Sequence, residues 1–274
     1  MSKKLNGHDR SENKIVNFPG SKERQKLKSD EEKRIRAEYK KRKKEQSEPF
    51  INYDKIPLFA RTFFMTLLLI NLPIFFLGSA QQLSIIHNFG FTPGVFTGIF
   101  EWSWLAPLTL FTHIALHGGF MHLGFNLVMG LALSIAFERQ YGARAAFKFF
   151  IISCLGGALL FFLISPFSPQ ALIGASGGIS GLFGALLLNI LRQLSNQPQV
   201  YSAAAIANGQ HALKQRTSKI LKKKGPWPIL IFWGLFMTLI GLITPGNISW
   251  SAHLGGYITG ITLVILIEKR KIKL

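Results

Sequence analysis

The sequence contains a single cysteine, Cys154, which lies within an apolar run. An internal disulfide and a cysteine-based metal cluster are therefore excluded within this chain. Charge is also missing from two long stretches, 149–191 and 225–267, although the chain as a whole has a net charge of +19. A soluble domain of this length would intersperse charged residues along its helices. These charge-free stretches predict an all-α, polytopic membrane protein.

Six apolar segments each approach the roughly 20 residues that a helix needs to cross a bilayer. They are 57–77, 118–137, 145–165, 171–191, 227–244 and 250–267. We therefore expect a membrane domain over 57–268, preceded by a charged arm at 1–56 and followed by a short basic tail at 269–274.

Lysines and arginines predict how these spans are oriented. The arm, the turn at 138–148, the loop at 192–224 and the tail are basic, whereas the connections at 78–117, 166–170 and 245–249 contain no lysine or arginine. This alternation follows the positive-inside rule and predicts that both termini are cytoplasmic. The amount of basic charge and the absence of organelle-type targeting signals favour a bacterial plasma membrane.

The N-terminal arm includes EEKRIRAEYKKRKKEQSE at 31–48, which is rich in helix formers and has almost no apolar face. It predicts a solvated helix or disorder, with attraction to anionic lipid as the functional interpretation. No recognisable nucleic-acid-binding fold accompanies the basic charge, so nucleic acid is not an expected partner.

The connection at 81–110 is apolar but interrupted by glycine and proline, and it contains Trp102 and Trp104. Tryptophan is enriched at the level of the lipid headgroups. We expect this connection to lie along the outer interface rather than to cross the membrane.

Four polar side chains inside the predicted spans are candidates for function, because a polar group in hydrocarbon is costly. Ser176 and His253 each lie a few residues from the outer end of their span, within roughly 10 Å of the boundary at ~1.5 Å per residue. His122 enters the second span at a similar level, and Asn126 lies one turn further on the same face. All four are therefore predicted to share one layer of the bilayer.

Glycine pairs follow the serine and the histidine. Gly177 and Gly181 are four residues apart in the fourth span, and Gly256 and Gly260 have the same spacing in the sixth. Small residues at this spacing let two helix backbones approach closely. The fourth and sixth spans are therefore predicted to pack together just below Ser176 and His253.

This packing would bring the Ser176 hydroxyl within reach of the His253 imidazole, which is the minimum for an activated serine nucleophile. No aspartate follows Asp54, and the later glutamates lie at span boundaries or in the loop. A serine hydrolase built here would therefore use a dyad. Its oxyanion donors would come from His122, Asn126 and the Ser176 backbone N–H.

These residues also allow other interpretations. His113 and His117 are four residues apart and precede His122, which suggests a metal site, but no cysteine or carboxylate completes the ligand set. We expect neither a metal nor a cofactor. A proton or solute pathway is a further alternative, although a transporter would be expected to show internal repeats, and none is evident. The sequence GASGG fits the G-x-S-x-G nucleophile elbow but lacks its preceding strand and acid.

Three motifs together resemble the rhomboid intramembrane serine proteases: GASG at 174–177, AHLGG at 252–256 and HGGFMHLGFNL at 117–127. The likeness extends over about 57–268, in order and in topology, and FERQYG at 137–142 is similar to the E-x-x-x-G turn of that family. It implies a six-helix rhomboid-like bundle in which Ser176 is the nucleophile and His253 the general base. His122 and Asn126 would stabilise the oxyanion, and the glycines at 174 and 177 would leave room for substrate.

By the same resemblance, substrates would be membrane-spanning helices with small or helix-breaking residues near the external face. Entry past the fifth span, with TPGNISW at 244–250 as a movable cap, is our hypothesis. The alternative within the family is an inactive relative that binds membrane helices, but such proteins generally lack the serine or the histidine.

Two departures from the family pattern are present. WLAPLTLFTH at 104–113 has a tryptophan but lacks the arginine that many rhomboids place nearby. The position four residues after the nucleophile, where an aromatic ring commonly stacks on the catalytic histidine, is Ser180. Either packing against the glycine face of the fourth span or a hydrogen bond from Ser180 would have to orient His253 instead.

Overall fold

A computed structural model describes residues 20–46, 55–196, 224–243 and 249–269 of the chain. These residues form helices, together with one isolated antiparallel bridge between Phe91 and Leu172. The α-helices are α1 Ser21–Gln46, α2 Leu58–Phe75, α3 Ser79–Phe89, α4 Pro93–Phe96, α5 Ala106–Thr112, α6 Phe120–Tyr141, α7 Ala143–Ile164, α8 Ser176–Asn196, α9 Trp227–Ile243 and α10 Trp250–Glu268. The predicted all-α class is confirmed for this part of the chain.

Five of these helices, α2, α6, α7, α8 and α10, are long and apolar enough to cross a membrane. They match five of the six predicted spans. The predicted fifth span corresponds to α9, which is apolar but has 17 residues and is followed by 244–248, outside the described residues. Most of the basic loop, 197–223, and the tail from 270 also lie outside them. The count of six spans and the cytoplasmic termini therefore stay predictions.

Helix α1 belongs to a unit separate from the membrane helices. Its described side chains are exposed, in keeping with a sequence that has no apolar face. The arm therefore contains a solvated helix over Ser21–Gln46.

Helix α8 is the most buried of the five apolar helices, and it packs against α7 and α10. Leu182, Ala185 and Leu188 of α8 are completely buried. This burial explains why α8 carries no charge before Arg192, because a charged side chain at a buried position would lack water or a partner.

Helix α2 packs on α6 and α7 through aromatic rings and one buried carboxylate. Phe63 and Phe150 lie 5.1 Å apart between ring centroids. The two carboxylate oxygens of Glu138 accept hydrogen bonds from the backbone N–H groups of Phe59 and Ala60, each at 2.9 Å. These N–H groups belong to the first turn of α2, where no intrahelical acceptor exists. One side chain of α6 therefore satisfies the start of α2.

The outer connection between α2 and α6 contains α3, α4 and α5 and is tied to the entrance of α8. Phe91 and Leu172 exchange two backbone hydrogen bonds, of 3.0 and 2.8 Å. Trp102 and Trp104 are exposed, and their placement at the lipid headgroups stays a prediction.

The start of α8 corrects one expectation. The fourth span was predicted to begin at 171, with Ser176 a few residues inside it, but α8 begins at Ser176 itself. Leu172 is engaged in the bridge, and Gly174 has a φ of +114°, which an α-helix does not allow. The residues before Ser176 therefore form an extended approach to the helix.

Substitution of the buried carboxylate tests its role at the start of α2. We expect Glu138→Gln to lower the free energy of unfolding by about 1–3 kcal/mol, because an amide has one acceptor oxygen and a buried N–H loses its partner. Unfolding in mixed detergent and SDS would measure this loss. Glu101→Gln, which removes an exposed carboxylate, should unfold as the wild type does. Equal stability of the two variants would contradict the role of Glu138.

Candidate active site

Ser176 is the first residue of α8, and a glycine two positions earlier shapes the approach to it. The Gly174 N–H donates to the His113 carbonyl oxygen at 2.8 Å. A Cβ at position 174 would lie 2.9 Å from His122 Nε2, and the positive φ already favours glycine. Because the first N–H groups of a helix lack intrahelical acceptors, Ser176 lies among backbone donors that do not bond within α8.

His253 is the fourth residue of α10. Its Nε2 lies 2.8 Å from Ser176 Oγ, and both residues are half-buried. This is hydrogen-bond distance, so an unprotonated Nε2 is placed to accept the serine proton.

The carboxylates that follow residue 55 make their contacts away from Ser176 and His253. Glu138 binds the start of α2, Glu268 forms an ion pair with Arg192, and Glu101 lines a cavity in the outer connection. The arrangement is therefore a serine and a histidine without an orienting acid.

The backbones of α8 and α10 meet directly below the serine and the histidine. Gly256 faces the carbonyl oxygen of Gly177, and Gly260 faces that of Gly181. A Cβ at position 256 or 260 would overlap the facing oxygen in either case. The four glycines singled out in the sequence therefore form the contact between these two helices.

Helix α7 joins this contact through glycines that the sequence analysis missed. A Cβ on Gly157 would lie 2.6 Å from the carbonyl oxygen of Ala252, and one on Gly255 would lie 2.6 Å from that of Gly156. Gly157 lies four residues after Ser153, a small-x-x-x-small spacing with only one glycine, so the glycine pairs used for the other helices did not identify it. Ala252, next to His253, therefore also contacts α7.

His122 lies across Gly174 from the serine. The position of a Cβ on Gly174 is 2.9 Å from His122 Nε2 and 3.8 Å from Ser176 Oγ. The Gly118 N–H donates to His122 Nδ1 at 3.3 Å. In a neutral imidazole this hydrogen bond assigns the proton to Nε2, the nitrogen that faces Gly174.

Asn126 is buried one turn after His122. Its Nδ2 donates to the His122 carbonyl oxygen at 2.8 Å, and its Oδ1 is buried without a hydrogen-bond partner. An amide nitrogen has two hydrogens, so one remains for a further acceptor.

His117 belongs to the same cluster, although the sequence analysis considered it only as a possible metal ligand. Its ring contacts that of His122 edge to face, with centroids 4.9 Å apart. Burial lowers the pKa of His117 to about 4, so the ring is neutral at ordinary pH. His113 is engaged elsewhere, because its Nδ1 lies 2.8 Å from the Thr109 carbonyl oxygen. Among the described residues, no group of three histidine, cysteine or acidic side chains is arranged to hold a metal ion.

Ser180 is buried one turn after Ser176, in the position where the family pattern has an aromatic ring. The hydrogen bond from Ser180 to His253 that the sequence suggested is absent from the described structure. The other suggestion, packing against the glycine face of α8, matches the observed contacts of Gly256 and Gly260.

Comparison with known proteins agrees with these motifs. The family model described as Rhomboid domain matches residues 105–270, which is more than half of the chain. The chain belongs to the rhomboid family. It is accordingly an integral, multi-pass membrane protein.

Several rhomboid relatives are similar to this chain over different lengths. Rhomboid protease AarA of Providencia stuartii is 26% identical over 244 residues, which cover 81% of this chain and 78% of that protein. RHOMBOID-like protein 5 of Arabidopsis thaliana is 34% identical over 82 residues, 30% of this chain and 26% of that protein. Rhomboid-related protein 3 of Homo sapiens is 26% identical over 156 residues, 57% of this chain and 35% of that protein. The chain thus spans well under two thirds of the length of the Arabidopsis and human relatives.

A single added methyl group tests whether the α8–α10 contact sets the geometry of this rhomboid site. We expect Gly256→Ala to lower cleavage of a reconstituted transmembrane-helix substrate about 10- to 100-fold, since a displacement of 1 Å at a reacting group costs about 100-fold. Gly124→Ala is the matched control, because a Cβ at that helical position meets nothing within 4 Å. Wild-type activity in Gly256→Ala would refute the link between this contact and the site.

Proposed function

We propose that this rhomboid protein is a serine endopeptidase that hydrolyses transmembrane-helix substrates near the external face of the membrane. The observation that carries the proposal is the 2.8 Å distance between Ser176 Oγ and His253 Nε2. His253 takes the serine proton as Oγ attacks a peptide carbonyl carbon, and the imidazolium then returns a proton to the leaving amine. Water hydrolyses the resulting acyl-enzyme with His253 again acting as the base.

Three donors are available to the oxyanion that forms on the substrate carbonyl. They are the Nε2–H of His122, the free Nδ2 hydrogen of Asn126 and the backbone N–H of Ser176. The N-terminus of α8 adds the positive end of a helix dipole at the same place. Donors that are fixed before the reaction stabilise developing charge without reorganising, which is the largest contribution in many acyl-transfer enzymes.

The substrate class follows from the setting of the site. In a transmembrane helix the backbone carbonyl groups are already hydrogen-bonded and shielded, so the helix must unwind before Ser176 can attack. Small or helix-breaking residues near the external face of the substrate lower the cost of unwinding. A site close to the outer boundary also gives hydrolytic water a short path.

We place substrate entry on the side of the protein where α9 lies. Helix α9 packs more extensively against α10 than against α8. The Tyr257 hydroxyl of α10 donates to the Leu230 carbonyl oxygen of α9 at 3.0 Å. Many other apolar side chains of α9 are exposed, including Ile231 and Leu235. The cap proposed at 244–250 lies for the most part outside the described residues.

We also assign a membrane environment to the basic arm. Helix α1 carries twelve lysines and arginines but six acidic residues, which suits attraction to anionic lipid on the cytoplasmic side of a bacterial plasma membrane.

Reaction with a fluorophosphonate probe tests the serine and the histidine directly. We expect the purified wild type to be labelled at Ser176, and Ser176→Ala and His253→Ala to lose the label because each lacks one member of the activated pair. Ser134→Ala, which removes a buried hydroxyl bonded within α6, should label as the wild type does. Labelling that survives either dyad substitution would eliminate the assignment, and a wild type that does not label would favour an inactive, helix-binding relative.

Asn126→Ala tests the oxyanion donors separately. We expect turnover to fall roughly 10- to 1,000-fold with KM little changed, because one donor to the developing charge is lost while others remain. Asn88→Ala removes an exposed amide of α3 and serves as the control in the same cleavage assay. An unchanged turnover in Asn126→Ala would mean that other groups bind the oxyanion.

A further inference from the structure

His117 lies in the connection between the 3-10 turn His113–Ala115 and α6, and neither nitrogen of its buried ring has a strong partner. Its Nε2 has no hydrogen-bond partner, and its Nδ1 lies 3.3 Å from the Ala115 carbonyl oxygen, a long contact. That carbonyl oxygen already accepts a 2.8 Å hydrogen bond from Asn71 Nδ2. A proton on Nδ1 would therefore form only a weak hydrogen bond with this carbonyl oxygen.

A second buried atom without a partner lies in the same cluster. Asn126 Oδ1 is unpaired, and Asn126 is bonded to the backbone of His122, whose ring contacts that of His117. A buried polar atom left unpaired costs about 1–3 kcal/mol. If the neutral ring carries its proton on Nε2, one hydrogen bond to Asn126 Oδ1 satisfies both atoms. If the proton is on Nδ1, Nε2 is an acceptor and the Asn126 amide nitrogen would donate its second hydrogen to it. Both Nδ2 hydrogens would then be occupied, one by the His122 carbonyl oxygen and the other by His117.

We propose that His117 is a positioning residue for the oxyanion site, with Nε2–H donating to Asn126 Oδ1. This hydrogen bond holds the amide so that its second Nδ2 hydrogen stays free for the substrate oxygen, while the His117 ring supports His122 from the side. The proposal rests on the proposed serine-protease function, because His117 touches neither the substrate nor Ser176. It acts through Asn126 and His122.

The protonation site can be measured on the wild-type protein without any activity assay. In a nitrogen-15 histidine spectrum of the full chain in detergent, we expect His117 to be the Nε2–H tautomer at pH 7 and its Nε2 resonance to shift in Asn126→Ala. An Nδ1–H tautomer, or an Nε2 resonance that does not respond to Asn126→Ala, would overturn the proposal.

A double-mutant cycle measures whether His117 acts through Asn126. We expect His117→Leu to lower kcat about 10- to 100-fold with KM little changed, as for a weakened oxyanion donor. In the Asn126→Ala background the same change should cost less than about threefold, because residues that act as a unit are not additive. His117→Gln, whose amide nitrogen can replace Nε2–H, should recover most of the lost kcat.

His113→Leu is the matched control, since it also removes a buried histidine from this segment but one that is bonded to Thr109. Its effect should add to that of Asn126→Ala. Additive losses for His117→Leu, or no recovery in His117→Gln, would refute the positioning role. If a leucine variant does not fold, the spectrum of the wild type decides the question.

The two proposals fail in different ways. A wild type that neither cleaves substrate nor labels at Ser176 refutes the protease function, and the tautomer measurement still reports the hydrogen bond. A wild type that cleaves while His117 carries its proton on Nδ1 refutes only the role of His117.

Discussion

The direct contact between the backbones of α8 and α10 is the constraint on which the site depends. Lipid tails are as apolar as leucine, so helices in a bilayer gain little from hydrophobic association and rely on close packing instead. Here Gly256 and Gly260 bring α10 against the carbonyl oxygens of α8, and α7 packs against both helices. Ser176 and His253 lie in the first turns of these two helices. Their 2.8 Å separation is therefore set by how the helices dock, without an acid to orient the histidine.

The proposed oxyanion donors on α6 depend on a second set of contacts. His122 and Asn126 lie at the start of α6, and the residues just before it provide both the His117 ring and the carbonyl oxygen that binds Gly174. The two sets meet at Gly174 and Ser176. A change in the packing of α10 can therefore displace His253 while His122 and Asn126 stay in place.

The features that follow from local pattern were predictable from the sequence. Charge-free runs identified the helices, and glycines four residues apart identified the faces on which α8 and α10 meet. The features that the sequence did not predict depend on contacts between positions that are distant in the chain. The beginning of α8 is set by the pairing of Leu172 with Phe91, so neither hydropathy nor helix periodicity could place it. The environment of His117 depends in the same way on Asn71 and Asn126, one from α2 and the other from α6.

The bridge between Phe91 and Leu172 has a consequence for how this protein can diversify. The outer connection and the approach to Ser176 share two hydrogen bonds, so the loop is a neighbour of Ser176 in space although it is remote in sequence. Loops tolerate substitution and insertion better than packed helices do. Selection can therefore alter the approach to Ser176 by changing the loop around Phe91 while Ser176, His253 and the glycines between their helices stay unchanged.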